Sequence, residues 1–196
     1  MPERRARIER STTETSVRVE LSLDGGPVAC STGVAFFDHM LDQLGRHSHL
    51  GLEIEASGDL EVDAHHTVED VGIVLGQALR AALGDGRGIR RYGWALVPME
   101  ESLAQVALDL SGRALLVYRA EVPAEMIGTF DVALAEEFLM ALCRTAGLTL
   151  HVHLVESKNA HHGLEAIFKA VARALSEAVS VEPRAAGEVP STKGVL

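Results

Sequence analysis

The sequence has few cysteines, no long apolar run and a deficit of positive charge. Its two cysteines, Cys30 and Cys143, lie far apart and form no CxxC motif, so we expect no disulfide framework and a reducing, cytoplasmic location. No apolar run approaches the roughly 18 residues needed to cross a bilayer, and the first ten residues, MPERRARIER, lack the apolar core of a secretory signal. The net charge of −10 argues against a general binder of nucleic-acid phosphates.

The composition is that of a globular protein. The chain has 196 residues, of which 47% are hydrophobic and 23% are charged, which excludes disordered, collagen-like and low-complexity classes. At this length a folded chain buries roughly 70% of its unfolded surface, so its core needs no covalent cross-links.

Histidine is the residue with an informative pattern. Four of the nine histidines form two adjacent pairs, His65-His66 and His161-His162. Each pair continues to a glutamate at the same offset, Glu69 in HHTVE and Glu165 in HHGLE. Two copies of HHxxE in one short chain indicate a shared role rather than independent placement.

Hydrophobic periodicity predicts alternating strands and helices. Alternation of apolar and polar residues predicts strands over 4–10, 16–23, 50–58 and 148–156, and further strands are expected over 28–33, 91–98, 102–110 and 114–121. Apolar residues at helical spacing predict helices over 36–48, 65–83, 131–146 and 160–180.

The predicted order β-β-β-α-β-α occurs twice. The segment FDHML at 37–41 aligns with AEEFL at 135–139, and HHTVED aligns with HHGLEA. We therefore predict an α+β fold with an internal duplication, residues 1–86 forming the first half-domain and 87–196 the second, in one compact unit. The glycine-rich stretch 84–88 is the expected seam, and a flexible connector is favoured over a phosphate loop because no strand leads into it.

A helical HHxxE motif suits metal binding. Residues three or four apart share a helix face, whereas the two adjacent imidazoles diverge by about 100°. A diverging pair suits two ions, or one ion and a substrate.

The duplication adds one candidate ligand to each half. His39 lies in FFDHM, and Glu137 occupies the matching place in the second half. The candidate ligands are His39, His65, His66, Glu69, Glu137, His161, His162 and Glu165. Eight side chains give four for each of two ions, and a six-coordinate metal keeps two open positions. Imidazole and carboxylate without thiolate favour Mn, Fe or catalytic Zn.

Long motifs resemble those of a known family. FFDHMLDQ, GD followed by DAHHTVED, SGR at 111–113, KNAHHGLEAIFKAVARAL and the tail PSTKGVL occur in this order. Together they resemble imidazoleglycerol-phosphate dehydratase, in its monofunctional form, over essentially the whole chain. The resemblance implies a duplicated fold like the second domain of ribosomal protein S5, a manganese-dependent lyase of histidine biosynthesis (EC 4.2.1.19), and a 24-subunit shell with active sites between subunits.

The resemblance also implies the reaction and its base. D-erythro-imidazole glycerol phosphate loses water to give imidazole acetol phosphate, with the substrate ring bound as imidazolate by two manganese ions. Glu14, in STTET, falls at the family's N-terminal glutamate and is the candidate base for the C2 proton. Glu137 departs from the many members that have histidine there, which affects the charge at one ion.

Substrate-binding candidates complete the set. The resemblance places the phosphate on Arg91, Arg113, Lys169, Ser191 and Lys193, so that the tail 183–196 contributes to the site. Gln43, one turn after His39, is expected at the substrate hydroxyls, and His47, two turns after His39, is expected to reach the same mouth.

Two other functions fit the residues alone. A metal-storing or metal-stabilised shell protein would use the histidine sites for assembly and bind many ions per chain, whereas catalysis requires about two ions with open positions. A dinuclear phosphate-ester hydrolase could use the same ligand set, but the full-length resemblance opposes it.

Overall fold

A computed structural model describes residues 3–185 and 187–192 of the chain. The strands are β1 (Arg5–Ser11), β2 (Thr15–Ser22), β3 (Val28–Ser31), β4 (Gly51–Gly58), β5 (Tyr92–Met99), β6 (Ser102–Asp109), β7 (Leu115–Arg119), β8 (Met126–Ile127), β9 (Phe130–Asp131) and β10 (Thr149–Glu156). The helices are α1 (Ala35–Ser48), α2 (His65–Leu83), α3 (Leu134–Ala146) and α4 (Ala160–Val179), followed by a short 3-10 turn (Pro183–Ala185).

The two halves build four-stranded sheets of identical topology. The strand orders are β1-β2-β4-β3 and β5-β6-β10-β7. In each sheet the first three strands are antiparallel neighbours, and the last strand joins in parallel. Alternation sets the buried face, because every second residue of a strand points to the same side. In β2, for example, Val17, Val19 and Leu21 are buried.

The helices interlock the two halves. Helix α2 packs on β1 and β2 of its own sheet, and α4 packs on β5 and β6 of its own sheet. Across the halves, α1 packs on α4 and α3 packs on α2. The α2–α3 contact is close because Gly72 has no side chain, and the carbonyl of Phe138 lies only 2.6 Å from where a Cβ would stand. The halves thus share one hydrophobic core.

The connector between the halves is hydrogen-bonded to Gly187 and Glu188. Gly84, Gly86 and Gly88 all have positive φ angles of 59° to 70°, which glycine adopts without steric cost. The backbone N–H of Gly88 donates to the carbonyl of Glu188 at 2.8 Å, and Arg87 donates to the carbonyl of Gly187 at 2.9 Å. Residues 187 and 188 therefore lie beside the connector.

The predicted α+β duplication is confirmed, with two differences in detail. The predicted helix 131–146 begins at Leu134, because Phe130–Asp131 pairs with Met126–Ile127 in a hairpin that the sequence did not predict. The proposed half-domain boundary after residue 86 falls inside the connector and stays a prediction.

Among the described residues, no helix has the length and hydrophobicity required to span a bilayer.

Candidate metal centre and substrate site

Both HHxxE motifs begin a helix. His65-His66 opens α2, and His161-His162 lies in the first turn of α4. Asn159 caps α4, and its side chain accepts hydrogen bonds from the backbone N–H groups of both histidines, at 2.9 and 3.3 Å. The cap therefore fixes the start of α4 and, with it, the position of the second pair.

Three candidate ligands come together from the two halves. Nε2 of His39, on α1, lies 3.5 Å from Oε2 of Glu165, on α4, and Nε2 of His161 lies 3.1 Å from the same oxygen. All three atoms lie within 4.8 Å of one another. The ring of Phe36 packs edge-on against His161, with ring centroids 5.1 Å apart, and steadies the imidazole.

Lys169 neutralises part of this cluster. Its Nζ donates to Oε1 of Glu165 at 2.7 Å, while Oε2 faces the two imidazoles. Burial raises the pKa of Glu165, but the hydrogen bond and charge of Lys169, together with His39, outweigh it and lower the pKa. Glu165 is therefore ionised at neutral pH, as a metal ligand must be.

The matching cluster in the other half is looser. Nε2 of His65 lies 3.8 Å from Oε2 of Glu69 one turn later. Glu137 lies on α3, which packs against this helix. In residues 3–185 and 187–192, no hydrogen bond or ion pair joins Glu137 to His65 or Glu69. An open cleft of about 400 Å³ lies beside His65, where α1, α2 and α3 begin.

The second histidine of each pair faces a different carboxylate. Within each pair the two ring planes are nearly perpendicular, at 82° and 81°. Nδ1 of His66 donates to Oδ2 of Asp59 at 3.0 Å, and Nδ1 of His162 donates to Oε2 of Glu101 at 2.9 Å. The bond to Asp59 raises the pKa of His66, and the bond from His162 is the main cause that lowers the pKa of Glu101 to about 2.

Sequence reasoning missed both of these carboxylates. Asp59 follows β4, and Glu101 lies in the β5–β6 turn, so neither is at helical spacing from its histidine. Asp59 is the aspartate of the GD that precedes DAHHTVED, and this motif is the one signal that could have marked it.

Glu14 lies beside His66. Its Oε2 is 3.8 Å from Nδ1 of His66, and its side chain is 54% exposed. The hydroxyl of Thr12 accepts from the N–H groups of Glu14 and Thr15, which shapes the turn. The hydroxyl of Thr15 donates to Asp70 on α2, which ties this turn to the helix that carries His66.

Gln43 and His47 lie together near the end of α1. Nε2 of His47 is 3.0 Å from Oε1 of Gln43, one helical turn away. Partial burial, followed by the positive charges of Lys169 and Arg173, lowers the pKa of His47. The neutral imidazole is the favoured form at neutral pH.

Arg91 and Arg113 share one carboxylate at the other end of the second sheet. Arg91 donates to Asp109 through Nε at 2.6 Å and Nη2 at 3.0 Å, and through Nη1 to the carbonyl of Pro190 at 2.7 Å. Nη2 of Arg113 lies 3.7 Å from Asp109. Ser191 follows Pro190 directly and so lies beside this group, whereas Lys193 lies outside the described residues.

The candidate phosphate ligands thus form two separate groups within one chain. Arg91 precedes the first residue of β5, whereas Lys169 contacts Met99, the last residue of that strand, at 3.4 Å. A strand of eight residues spans about 23 Å. Within one chain the two groups therefore lie at opposite ends of β5.

The chain is similar to imidazoleglycerol-phosphate dehydratases over nearly its full length. A family model described as imidazoleglycerol-phosphate dehydratase matches residues 32–175. The dehydratase of Paracoccus denitrificans is 58% identical over 194 residues, which cover 98% of this chain and 100% of that protein. The dehydratase of Azorhizobium caulinodans is 57% identical and is covered to 98% on both sides.

Solved structures of the same enzyme share the fold. The crystal structure of the Staphylococcus aureus dehydratase superposes with a TM-score of 0.83 at 42% identity, covering 91% of this chain and 99% of that one. The Pyrococcus furiosus dehydratase, solved in complex with (S)-C348, has a TM-score of 0.83 at 34% identity, with coverages of 96% and 100%.

Proposed function

The chain belongs to the imidazoleglycerol-phosphate dehydratase family, and we propose that its histidine–carboxylate cluster is the metal centre of the reaction. It is a hydro-lyase of histidine biosynthesis, EC 4.2.1.19. It removes water from D-erythro-imidazole glycerol phosphate to give imidazole acetol phosphate. The observation that carries the metal centre is the convergence of His39, His161 and Glu165 within 4.8 Å.

The donor set fits a manganese ion. Two imidazole nitrogens and one carboxylate oxygen, with no thiolate, are ligands that Mn²⁺ accepts. The second histidines, His66 and His162, turn Nδ1 to a carboxylate and leave Nε2 for a metal. We assign two Mn²⁺ per site to the eight candidate ligands, including Glu69 and Glu137. Bound manganese would supply the positive charge that stabilises the substrate ring as imidazolate.

Glu14 is the base that we assign to the C2 proton. That carbon is not adjacent to a carbonyl, so its proton is weakly acidic and a positioned base is needed. The exposed carboxylate of Glu14 sits beside His66. The hydrogen bond from Thr15 to Asp70 connects its turn to α2, the helix that carries the first histidine pair.

The separation of the phosphate ligands supports a site shared between subunits. Lys169 lies at the metal cluster, whereas Arg91, Arg113 and the described part of the tail lie at the far end of β5. One substrate can meet both groups only if the second group comes from another copy. Trp94 and Leu96 on β5 are 68% and 53% exposed and offer an apolar surface for such association. We therefore propose a homo-oligomer with intersubunit sites, specifically the 24-subunit shell, located in the cytoplasm.

Product formation by metal-stripped protein tests the function. We expect imidazole acetol phosphate to appear only after Mn²⁺ is restored, with about two ions bound per chain. Many weakly bound ions per chain, without product, would instead support metal storage. No product from fully assembled, manganese-loaded protein would contradict the proposal.

Size-exclusion chromatography tests the shared site. If ligands from different copies complete each metal centre, chelation should loosen the assembly and added Mn²⁺ should restore it. An elution volume unchanged by chelator would contradict metal sites that are shared between subunits.

A further inference from the structure

We propose that Asp59 and Glu101 are positioning residues that aim the imidazoles of His66 and His162 at the metals, an inference that rests on the proposed metal centre. Each carboxylate accepts from Nδ1 of its histidine, at 3.0 and 2.9 Å. An imidazole whose Nδ1–H is held by a carboxylate has a fixed ring orientation and an unprotonated, more basic Nε2.

The surroundings of Asp59 favour this role over a purely structural one. Its Oδ2 bonds His66, whereas its Oδ1 is buried without a hydrogen-bond partner among the described residues. A buried acceptor without a partner is unfavourable. The imidazole of His66 is the bonded partner of this carboxylate. Orientation of that imidazole therefore explains why a carboxylate stands here despite the cost.

Glu101 accepts more hydrogen bonds than Asp59, because both of its carboxylate oxygens have partners. While Oε2 bonds His162, Oε1 accepts from the backbone N–H of Asn159 at 3.0 Å and from the hydroxyl of Ser102 at 3.2 Å. Asn159 is also the cap of α4. The carboxylate therefore links the β5–β6 turn, the start of α4 and the imidazole in one network.

The two halves reach this arrangement from different positions. Glu14 directly precedes β2 and Glu101 directly precedes β6, so they occupy equivalent hairpin positions in the repeat. In the second half the hairpin glutamate bonds the histidine. In the first half Asp59 makes that bond, and Glu14 stays 3.8 Å away and mostly exposed. In the described residues Glu14 therefore makes no hydrogen bond to His66, which fits its assignment as the base.

Manganese affinity measures the proposed role directly. Free Mn²⁺ is followed by electron paramagnetic resonance in titrations of Asp59→Ala, Asp59→Asn, Glu101→Ala and Glu101→Gln. We expect the alanine variants to bind Mn²⁺ about 10- to 100-fold more weakly. The amide variants keep an oxygen that accepts from Nδ1–H, so they should recover much of that loss. Circular dichroism and size-exclusion chromatography establish that each variant is folded and assembled.

Two carboxylates outside these networks are the controls. Glu61 is an exposed residue of the same loop as Asp59, and Glu156 is exposed at the end of β10. Glu61→Ala and Glu156→Ala should bind Mn²⁺ like the unmodified protein. Wild-type affinity in all four test variants would overturn this inference alone. Failure of the unmodified protein to bind Mn²⁺ would overturn the metal centre and this inference together.

Discussion

Nε2 of His39 lies 3.5 Å from Oε2 of Glu165, although the first residue belongs to the first helix and the second to the last. The contact exists because α1 of one half packs on α4 of the other. The candidate metal centre is therefore a product of the whole fold and belongs to neither half alone.

Replacement of His162 with alanine should abolish turnover. His162 is assigned as a metal ligand. Its removal should therefore lower activity by more than the roughly 10- to 100-fold that is typical when a residue hydrogen-bonded to a ligand is replaced. Bound manganese should fall below that of the unmodified protein, measured by metal analysis after gel filtration. His151→Ala is the matched control, because His151 is exposed on β10. Full activity of His162→Ala with depleted manganese would contradict the two-ion centre.

Glu14→Gln should separate chemistry from metal binding. A general base contributes about 100- to 10,000-fold to the rate, so kcat should fall by that factor while manganese content and assembly are retained. Steady-state kinetics and metal analysis on the same sample provide the comparison. Glu9→Gln, an exposed change in β1 that removes a surface ion pair with Arg7, should leave kcat unchanged. A fully active Glu14→Gln enzyme would show that the base is another group.

Gly72→Ala should destabilise the protein although alanine is the better helix former. The helix preference favours alanine by up to about 1 kcal/mol, but the new Cβ would lie 2.6 Å from the carbonyl oxygen of Phe138 and 2.9 Å from Cβ of Ala141. Overpacking costs about 1–3 kcal/mol, so the net effect is a lower Tm. Calorimetry at fixed protein and Mn²⁺ concentrations measures it. Gln77→Ala, on the exposed side of α2, should shift stability by less than about 0.5 kcal/mol, and an unchanged Tm for Gly72→Ala would disprove the close approach.

Both thiols should be inert in the native protein. Partial burial raises the pKa of Cys30 to about 12, helped by the negative charges of Asp42 and Asp38, and burial alone raises the pKa of the buried Cys143 to about 12. Because the thiolate is the nucleophile, a pKa this far above pH 8 leaves very little of the reactive form at that pH. Iodoacetamide at pH 8 should leave native protein unmodified by mass spectrometry and should alkylate both cysteines in guanidinium chloride. Rapid modification of native Cys30 would contradict the raised pKa of this thiol.

The repeat was predictable because its information is local. Alternation in β1, β2, β4 and β10, helical spacing in α1 to α4 and the duplicated HHxxE motif all lie within short windows of sequence. The hairpin of β8 and β9 was not predictable, since strands of two residues have no measurable periodicity.

The residues that contact the candidate ligands are brought there by the tertiary fold, and local sequence patterns do not encode these contacts. Glu101 meets His162 only because the β5–β6 turn folds against the start of α4. Likewise, Arg91 was expected at the phosphate from a motif, but its sequence neighbourhood does not reveal that Asp109 and Pro190 occupy three of its N–H groups.

The cross-packing of α1 on α4 and of α2 on α3 has an evolutionary consequence. A polypeptide of one half alone would expose the helix faces that the other half covers, so its stable form would be a symmetric homodimer. Gene duplication and fusion of such a dimer would yield the present chain. Fusion also frees the paired positions to diverge, which a symmetric dimer forbids. Aspartate at 59, directly after β4, stands against serine at 157, directly after β10, and is one such difference between the halves.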